Sequence, residues 1–98
     1  MEQMPKGTRS IHISDEVLAK VSSLAAQDVE GAAGLAGSPR ITNVGGAIAV
    51  TVRILVAPGS RAVQVAREVQ QKVKQGIQDM TGVTAVSVDV QISAIASE

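Results

Sequence analysis

The stretch Ala47-Ile-Ala-Val-Thr-Val-Arg-Ile-Leu-Val56 decides the fold of this chain of 98 residues. Successive side chains of a strand point to opposite faces, so the branched residues at 48, 50, 52, 54 and 56 all share one face. The positions between them hold Ala49, Thr51, Arg53 and Leu55. This pattern predicts a long strand with one apolar face and one more polar face.

Two shorter runs predict strands that accompany the long one. Gly45-Gly46 separates it from the apolar run 41–44, and paired glycines supply the positive φ angles of a tight hairpin turn. From Val86 to Ile92, apolar and polar residues alternate again. This second alternation predicts the last strand of the chain.

A helix is expected between the long strand and the last one, over residues 60–81. Pro58-Gly59 marks the preceding turn, and Ser60 is a suitable N-cap. Gly82 is a suitable stop. Residues spaced three and four apart predict the apolar stripe of this helix: Val63, Ala66, Val69, Val73, Ile77 and Met80. The long strand, this helix and the last strand are then expected to form a right-handed crossover unit.

The first part of the chain predicts a tail, a short strand, a second helix and a further strand. Residues 1–8 are a polar tail, and Ile11-His12-Ile13 alternates as a brief strand does. Ser14 is a good N-cap for a helix that runs to about Val29, with acidic residues in its first turn. The apolar residues of this helix are Val17, Val21, Leu24 and Ala25. Residues 32–36 predict another short strand before a turn.

Together these elements predict an α+β fold of the two-layer sandwich type. One mixed sheet of four to five strands has both helices on one face, and its other face is solvated or used for contact. Residues 9–96 are expected to form a single domain behind the flexible tail of residues 1–8.

The composition excludes several classes of function. The chain has no Phe, Tyr, Trp or Cys, and its formal net charge is zero. Stacking of nucleic-acid bases on aromatic rings is therefore excluded, as are thiolate chemistry and disulfides. A neutral chain gives no electrostatic reason to expect nucleic acid as a partner. No apolar run reaches the length that spans a bilayer.

No catalytic, cofactor-binding or metal-binding residue emerges from the titratable groups. His12 is the only histidine, and we expect it at an exposed strand position without a partner. Asp15 and Glu16 adjoin, but successive helical residues do not share a face. Asp89 stands alone on the polar face of its strand. We therefore expect a protein that is not an enzyme and needs no cofactor.

Two glycine-containing segments leave ligand binding open. Gly31-Ala-Ala-Gly34 matches the GxxG pattern of the KH nucleic-acid loop, although small residues there also allow close backbone approach. Gly59-Ser60 precedes a helix start, where anions can bind, although a capped helix start explains it as well. The sequence does not decide whether a ligand binds near Gly31–Gly37 or at Gly59-Ser60.

The exposed charged and polar residues give a candidate interaction surface. The helix over 60–81 carries a mild basic excess that suits an acidic partner or lipid headgroups, and its Val-rich stripe lacks the bulky anchors of direct membrane insertion. The candidate surface consists of Arg53, Arg61, Arg67, Lys72, Lys74, Asp89 and Gln91.

Several segments resemble the alkaline shock protein family, the envelope stress response family of Gram-positive bacteria. The resemblance begins with Ile13-Ser-Asp-Glu-Val-Leu-Ala-Lys-Val21 and Val29-Glu-Gly-Ala-Ala-Gly-Leu-Ala-Gly37. It continues in Val65-Ala-Arg-Glu-Val-Gln70, Met80-Thr-Gly82 and Val86-Ser-Val-Asp-Val90. Two departures mark a divergent member: the segment before Ile41 is short, and Ala57-Pro58-Gly59 lacks the aromatic residue that many members carry there.

The resemblance implies a non-enzymatic cytoplasmic protein of cell-envelope homeostasis and stress response. It implies a self-associating scaffold, or a module that binds a small integral membrane anchor protein and so lies peripherally at the membrane. Two alternatives stay open: a small regulatory adaptor of lipid metabolism, and a KH-like nucleic-acid-binding module.

Overall fold

A computed structural model of the chain describes residues 13–95. Its two helices and four strands, in chain order, are α1 Asp15–Gln27, β1 Ala32–Leu35, β2 Arg40–Val44, β3 Ala47–Val56, α2 Ala62–Thr81 and β4 Val86–Ile95. The predicted tail over 1–8 and most of the predicted strand Ile11-His12-Ile13 lie outside the described residues. Ile13 is described, belongs to no strand and packs against the core.

The central strand β3 pairs with every other strand of the described sheet. β4 runs parallel to it, in register from Ile48↔Val86 to Val56↔Ile95. β2 and β1 run antiparallel to it, β2 against residues 47–51 and β1 against residues 54–56. Because a strand has only two edges, β2 and β1 follow one another along the edge that β4 leaves free. The sheet is therefore mixed, and the predicted connection from β3 through α2 to β4 joins parallel neighbours.

The core lies between the sheet and the two helices, on one face of the sheet. On β3 every even-numbered residue from Ile48 to Val56 is buried, as the alternation predicts. These side chains pack in one cluster with buried residues of both helices, including Leu18 on α1 and Val69 on α2. The predicted α+β sandwich with two helices on one face is confirmed, and its core contains no aromatic ring.

The apolar face predicted for α1 is right for Val21 and Ala25, which are half-buried against the core, and wrong for Val17 and Leu24. The buried stripe is Leu18, Ser22 and Ala26, whereas Val17 is 44% exposed and Leu24 is 59% exposed. A polar residue can occupy this stripe because the Ser22 hydroxyl donates to the backbone oxygen of Leu18, at 2.8 Å, within its own helix. A prediction from apolar residues alone follows Val17 and Leu24 instead. The helix also ends at Gln27, two residues before the predicted Val29.

The stripe predicted for α2 is right in its middle and wrong at its ends. Val65, Val69, Val73 and Ile77 are buried at intervals of four residues. Val63 is 63% exposed and Met80 is 46% exposed, and the predicted Ala66 is half-buried. Val65, which the predicted stripe did not include, takes the buried position in the first turn.

The predicted N-cap of α2 is one residue early. Arg61 is the N-cap and makes no side-chain cap bond, while the N–H of Ser60 donates to Ala57 in the preceding turn, at 3.1 Å. The same helix ends at Gly82 as predicted, in the left-handed conformation with φ 75°. The turn through Pro58-Gly59 therefore keeps Ser60 outside the helix, and α2 begins at Ala62.

The central place of β3 predicts unequal costs for two isoleucine truncations on the same face of the sheet. Ile54→Ala should lower the free energy of unfolding by about 2–5 kcal/mol, because Ile54 is fully buried and its removal leaves a cavity. Ile95→Ala on β4, 65% exposed, should change it by less than about 0.5 kcal/mol. Urea denaturation of both variants measures the difference, and equal losses would contradict the described burial.

Candidate interaction surfaces

The face of the sheet away from the helices is uncovered in the described part of the chain. We call it the open face: the odd-numbered residues 47–55 of β3 with their register neighbours on β2 and β4. On it Thr51 pairs with Asp89, and Arg53 pairs with Gln91. The Gln91 amide donates to the Asp89 carboxylate at 3.2 Å. Three of the seven candidate residues, Arg53, Asp89 and Gln91, therefore lie together on one surface.

The open face combines small side chains with separated charges. Ala47, Ala49 and Ser87 are exposed and leave the backbone accessible, and Val44 on β2 is 69% exposed. The guanidinium of Arg53 lies over Gly37, where an added Cβ would stand 3.1 Å from its Nη2. Arg53 therefore leans away from β4, and its charge stays apart from that of Asp89.

The other four candidate residues lie on α2, in the opposite layer of the sandwich. Arg61 is the N-cap of the helix, and Arg67 and Lys74 are exposed along it. The Lys72 ammonium contacts the carboxylate of Asp28, just beyond α1, at 2.8 Å. This hydrogen bond and the charge of Lys72 hold the pKa of the Asp28 carboxyl below its ordinary value. The candidate set is therefore divided between two surfaces.

A groove separates α2 from β4. It has a volume of about 590 Å³, and four of the residues that line it are glutamines: Gln70, Gln71, Gln75 and Gln78. Lys74, Val86, Ser87 and Val88 complete the lining that the structure describes. The sequence prediction missed this groove. The repeated glutamines were the available signal, but nothing in the sequence shows that β4 lies at an edge beside them.

The outer edge of β4 carries backbone groups that no described strand pairs. Ala85 accepts a hydrogen bond from the N–H of Ile48 at 2.9 Å, so by strand alternation Ser87, Asp89 and Gln91 also direct their backbone groups to β3. The even-numbered residues direct theirs outward. The Gln70 side-chain amide donates to one of these outward groups, the carbonyl of Val88, at 2.8 Å.

The Gly31–Gly37 segment has a packing role in this structure. Gly31 has φ +95°, and a Cβ placed there would stand 2.7 Å from Cγ2 of the buried Val65. Its carbonyl accepts from the N–H of Ala57 at 2.8 Å. Gly34 lies within β1, so the GxxG pattern leads from a turn into a strand, whereas a KH loop joins two helices.

The start of α2 is a poor anion site. The shallow depression beside Ser60 and Arg61 is also lined by Glu30 and Glu68, whose carboxylates disfavour a phosphate there. Among residues 13–95, no group of three His, Asp or Glu side chains could hold a metal ion. His12 lies outside the described range, so its exposure stays a prediction. Neither described helix is both long and apolar enough to cross a membrane.

A small α+β domain with helices on one face of a mixed sheet is the class of protein that this structure defines. The chain belongs to the alkaline shock protein family. The model of this family, described as having a cell envelope-related function, matches residues 40–97, from β2 through β4 and more than half of the chain. The segments quoted above from residues 13–37 lie before the matched range. A search of curated proteins gives no match.

Solved structures of MamM CTD share the fold. One variant in a copper form is 24% identical, with a TM-score of 0.61 over 85% of this chain and 100% of that chain. A variant in a nickel form is 24% identical, with a TM-score of 0.59 over 83% and 99%. Another variant is 25% identical, with a TM-score of 0.59 over 82% and 96%. At this identity the likeness is one of fold.

The packing of Gly31 predicts different outcomes for two glycine substitutions at positive φ. Gly31→Ala should destabilise the protein by about 2–4 kcal/mol, through left-handed strain and overlap with Val65. Gly45→Ala is the matched control, because its φ is +56° and a Cβ there meets nothing within 4 Å. It should cost only about 1 kcal/mol. Thermal or urea unfolding compares the two variants. A Gly31→Ala variant as stable as the unchanged protein would contradict the packing role of Gly31 and favour a ligand-binding loop.

Proposed function

We propose that this chain is a non-enzymatic module of cell-envelope homeostasis that works by self-association through its open face. The family description supports the envelope role. The observation that carries the mechanism is the one-sided covering of the sheet: both helices pack on the even-numbered face of β3, and the odd-numbered face is left bare in the described residues. We also propose that residues 9–96 act as one domain.

Two copies can pack their open faces together by twofold symmetry. In such an interface, if one residue contacts a second residue of the partner, the reciprocal contact forms as well. Arg53 and Asp89 are separate within one copy, so each is free to meet its opposite charge on the other. The exposed alanines at 47 and 49 let the two sheets approach closely.

The size of the open face predicts an association that depends on concentration. A ten-residue strand is about 33 Å long, and a sheet three strands wide measures about 14 Å across. The resulting face of roughly 450 Å² is smaller than the ~800 Å² that each partner buries in a standard stable interface. A reversible scaffold fits this area better than a permanent dimer.

A membrane-anchored partner would bring such a scaffold to the envelope. Neither described helix can itself cross a bilayer. From the cell envelope-related function of the family, we propose a cytoplasmic protein that lies peripherally at the membrane through a small integral membrane protein. The basic residues on α2 remain accessible for that partner when the open face is occupied, because α2 lies in the opposite layer.

Charge reversal on the open face should break and then restore self-association. Arg53→Asp alone and Asp89→Arg alone should each raise the dissociation constant of the dimer about tenfold, because each change places like charges together at two symmetric positions. The double variant Arg53→Asp/Asp89→Arg should recover most of the lost affinity. Light scattering across a concentration series measures all three.

Lys20→Asp on α1 is the matched control, since it makes the same change of charge at an exposed position away from the sheet. Its dimer should form as in the unchanged protein. A chain that stays monomeric at high concentration contradicts the proposal. Single variants that associate normally would place the interface elsewhere.

A further inference from the structure

We propose that the groove between α2 and β4 binds an extended, acidic segment of a partner protein, which joins the sheet as a strand beside β4. This site uses the edge and the helix layer and does not involve the open face. Its existence is therefore independent of self-association, and either can fail without the other.

The backbone of β4 provides the template for an added strand. The outward N–H and C=O groups belong to the even-numbered residues, and Val88, Val90 and Ile92 present them at regular spacing along the edge. The N–H of Val86 already donates to the carbonyl of Thr84 at 2.9 Å, so the template begins after it. Main-chain hydrogen bonds to such an edge give affinity, while side-chain contacts beside it give specificity. No described strand covers this edge.

Gln70 shows that the edge accepts a donor from this side. Its amide already donates to the Val88 carbonyl at 2.8 Å, in the position that the N–H of an added strand would take. The side chain is exposed at the surface of α2 and can turn aside without disturbing the core. An incoming strand therefore replaces the hydrogen bond of Gln70 with one from its own N–H. It also pairs with the remaining outward N–H and C=O groups of β4.

The charge around the groove selects an acidic segment. Lys74 lines it among the glutamines, and no carboxylate belongs to its described lining. Arg67 precedes Lys74 by two helical turns and lies on the same exposed side of α2. The Asp79 carboxylate on the same helix accepts a hydrogen bond from the Gln75 amide at 2.8 Å, but Asp79 itself does not line the groove.

The same charges disfavour a second copy of this chain at the edge. Antiparallel pairing of two β4 edges would place the α2 helices side by side on one face of the joined sheet. The Arg67 and Lys74 side chains of both copies would then approach one another, and like charges at an interface oppose association. A partner segment with negative charge removes that repulsion.

The far end of the edge favours apolar side chains. Val56 pairs with Ile95, so the end of β4 lies where the chain leaves β3 for α2. Ile92, Ile95 and Val63 are exposed there, by 41%, 65% and 63%. The segment that fits best is therefore acidic beside Lys74 and apolar beside Ile92.

NMR titration with a designed peptide tests the site. The probe is a blocked peptide of sequence Thr-Val-Thr-Val-Thr-Glu-Thr-Glu-Thr, which when antiparallel to β4 places its glutamates near Lys74. It should shift the backbone amides of Val88, Val90 and Ile92 and the side-chain amide of Gln70. The same peptide with Lys in place of Glu should bind at least about fivefold more weakly, and added salt should narrow that difference.

Three variants of the protein sharpen the titration. Val90→Pro removes one outward N–H without breaking a bond to β3, as an edge strand tolerates, and should abolish the amide shifts along β4. Lys74→Glu should weaken binding about fivefold. Lys20→Glu on α1 makes the same charge change and should leave binding unaltered. If Val90→Pro fails to fold, the affinities of Lys74→Glu and Lys20→Glu for the acidic peptide still test the site.

Four results would overturn the proposal. They are no shifts at all with the acidic peptide, equal binding of the acidic and basic peptides, shifts confined to the open face, and concentration-dependent shifts of β4 without any peptide. The last result would mean that a second copy occupies the edge.

Discussion

The pairing of β3 with all three other described strands is the constraint on which the rest of the structure depends. β3 uses one edge for β4 and the other for β2 and β1 in succession, and it buries every even-numbered side chain. Because one strand contributes to every strand pair and to the core, its alternation determines which face the helices cover. The odd-numbered face and the outer edges of β4, β2 and β1 are left without strand partners in the described sheet.

An aromatic-free chain has few ways to build a strong contact surface. Interfaces usually concentrate their energy in Trp, Tyr and Arg, and this chain has only the arginines. Its contacts must come from backbone, small aliphatic side chains and charges, which favour reversible association. The separation of Arg53 and Asp89 on one surface from Arg67 and Lys74 on another allows self-association and partner binding to proceed together. Simultaneous self-association and partner binding would fit the cell envelope-related function of the family.

Sequence reasoning predicted the fold where local signals were unambiguous. The alternation from Ile48 to Val56 and the glycine pair at 45–46, which has positive φ at both positions, predicted β3 and its hairpin. The buried stripe of α1 could not be fully predicted, since Ser22 is buried through a hydrogen bond to its own helix. The sequence also could not show that the candidate charges divide between two layers, because that depends on which face the helices cover. The groove beside β4 depends on the order of strands, which no local pattern encodes.

The most direct test of the central claim, that the uncovered sheet is the working surface, is a dilution series of the unmodified protein followed by amide NMR spectra. The open-face proposal predicts that amides of Thr51, Arg53 and Asp89 shift with concentration while exposed positions of α1 stay constant, together with slower tumbling at high concentration. Spectra and tumbling that do not change from dilute to concentrated solution, or shifts confined to the helices, would contradict it.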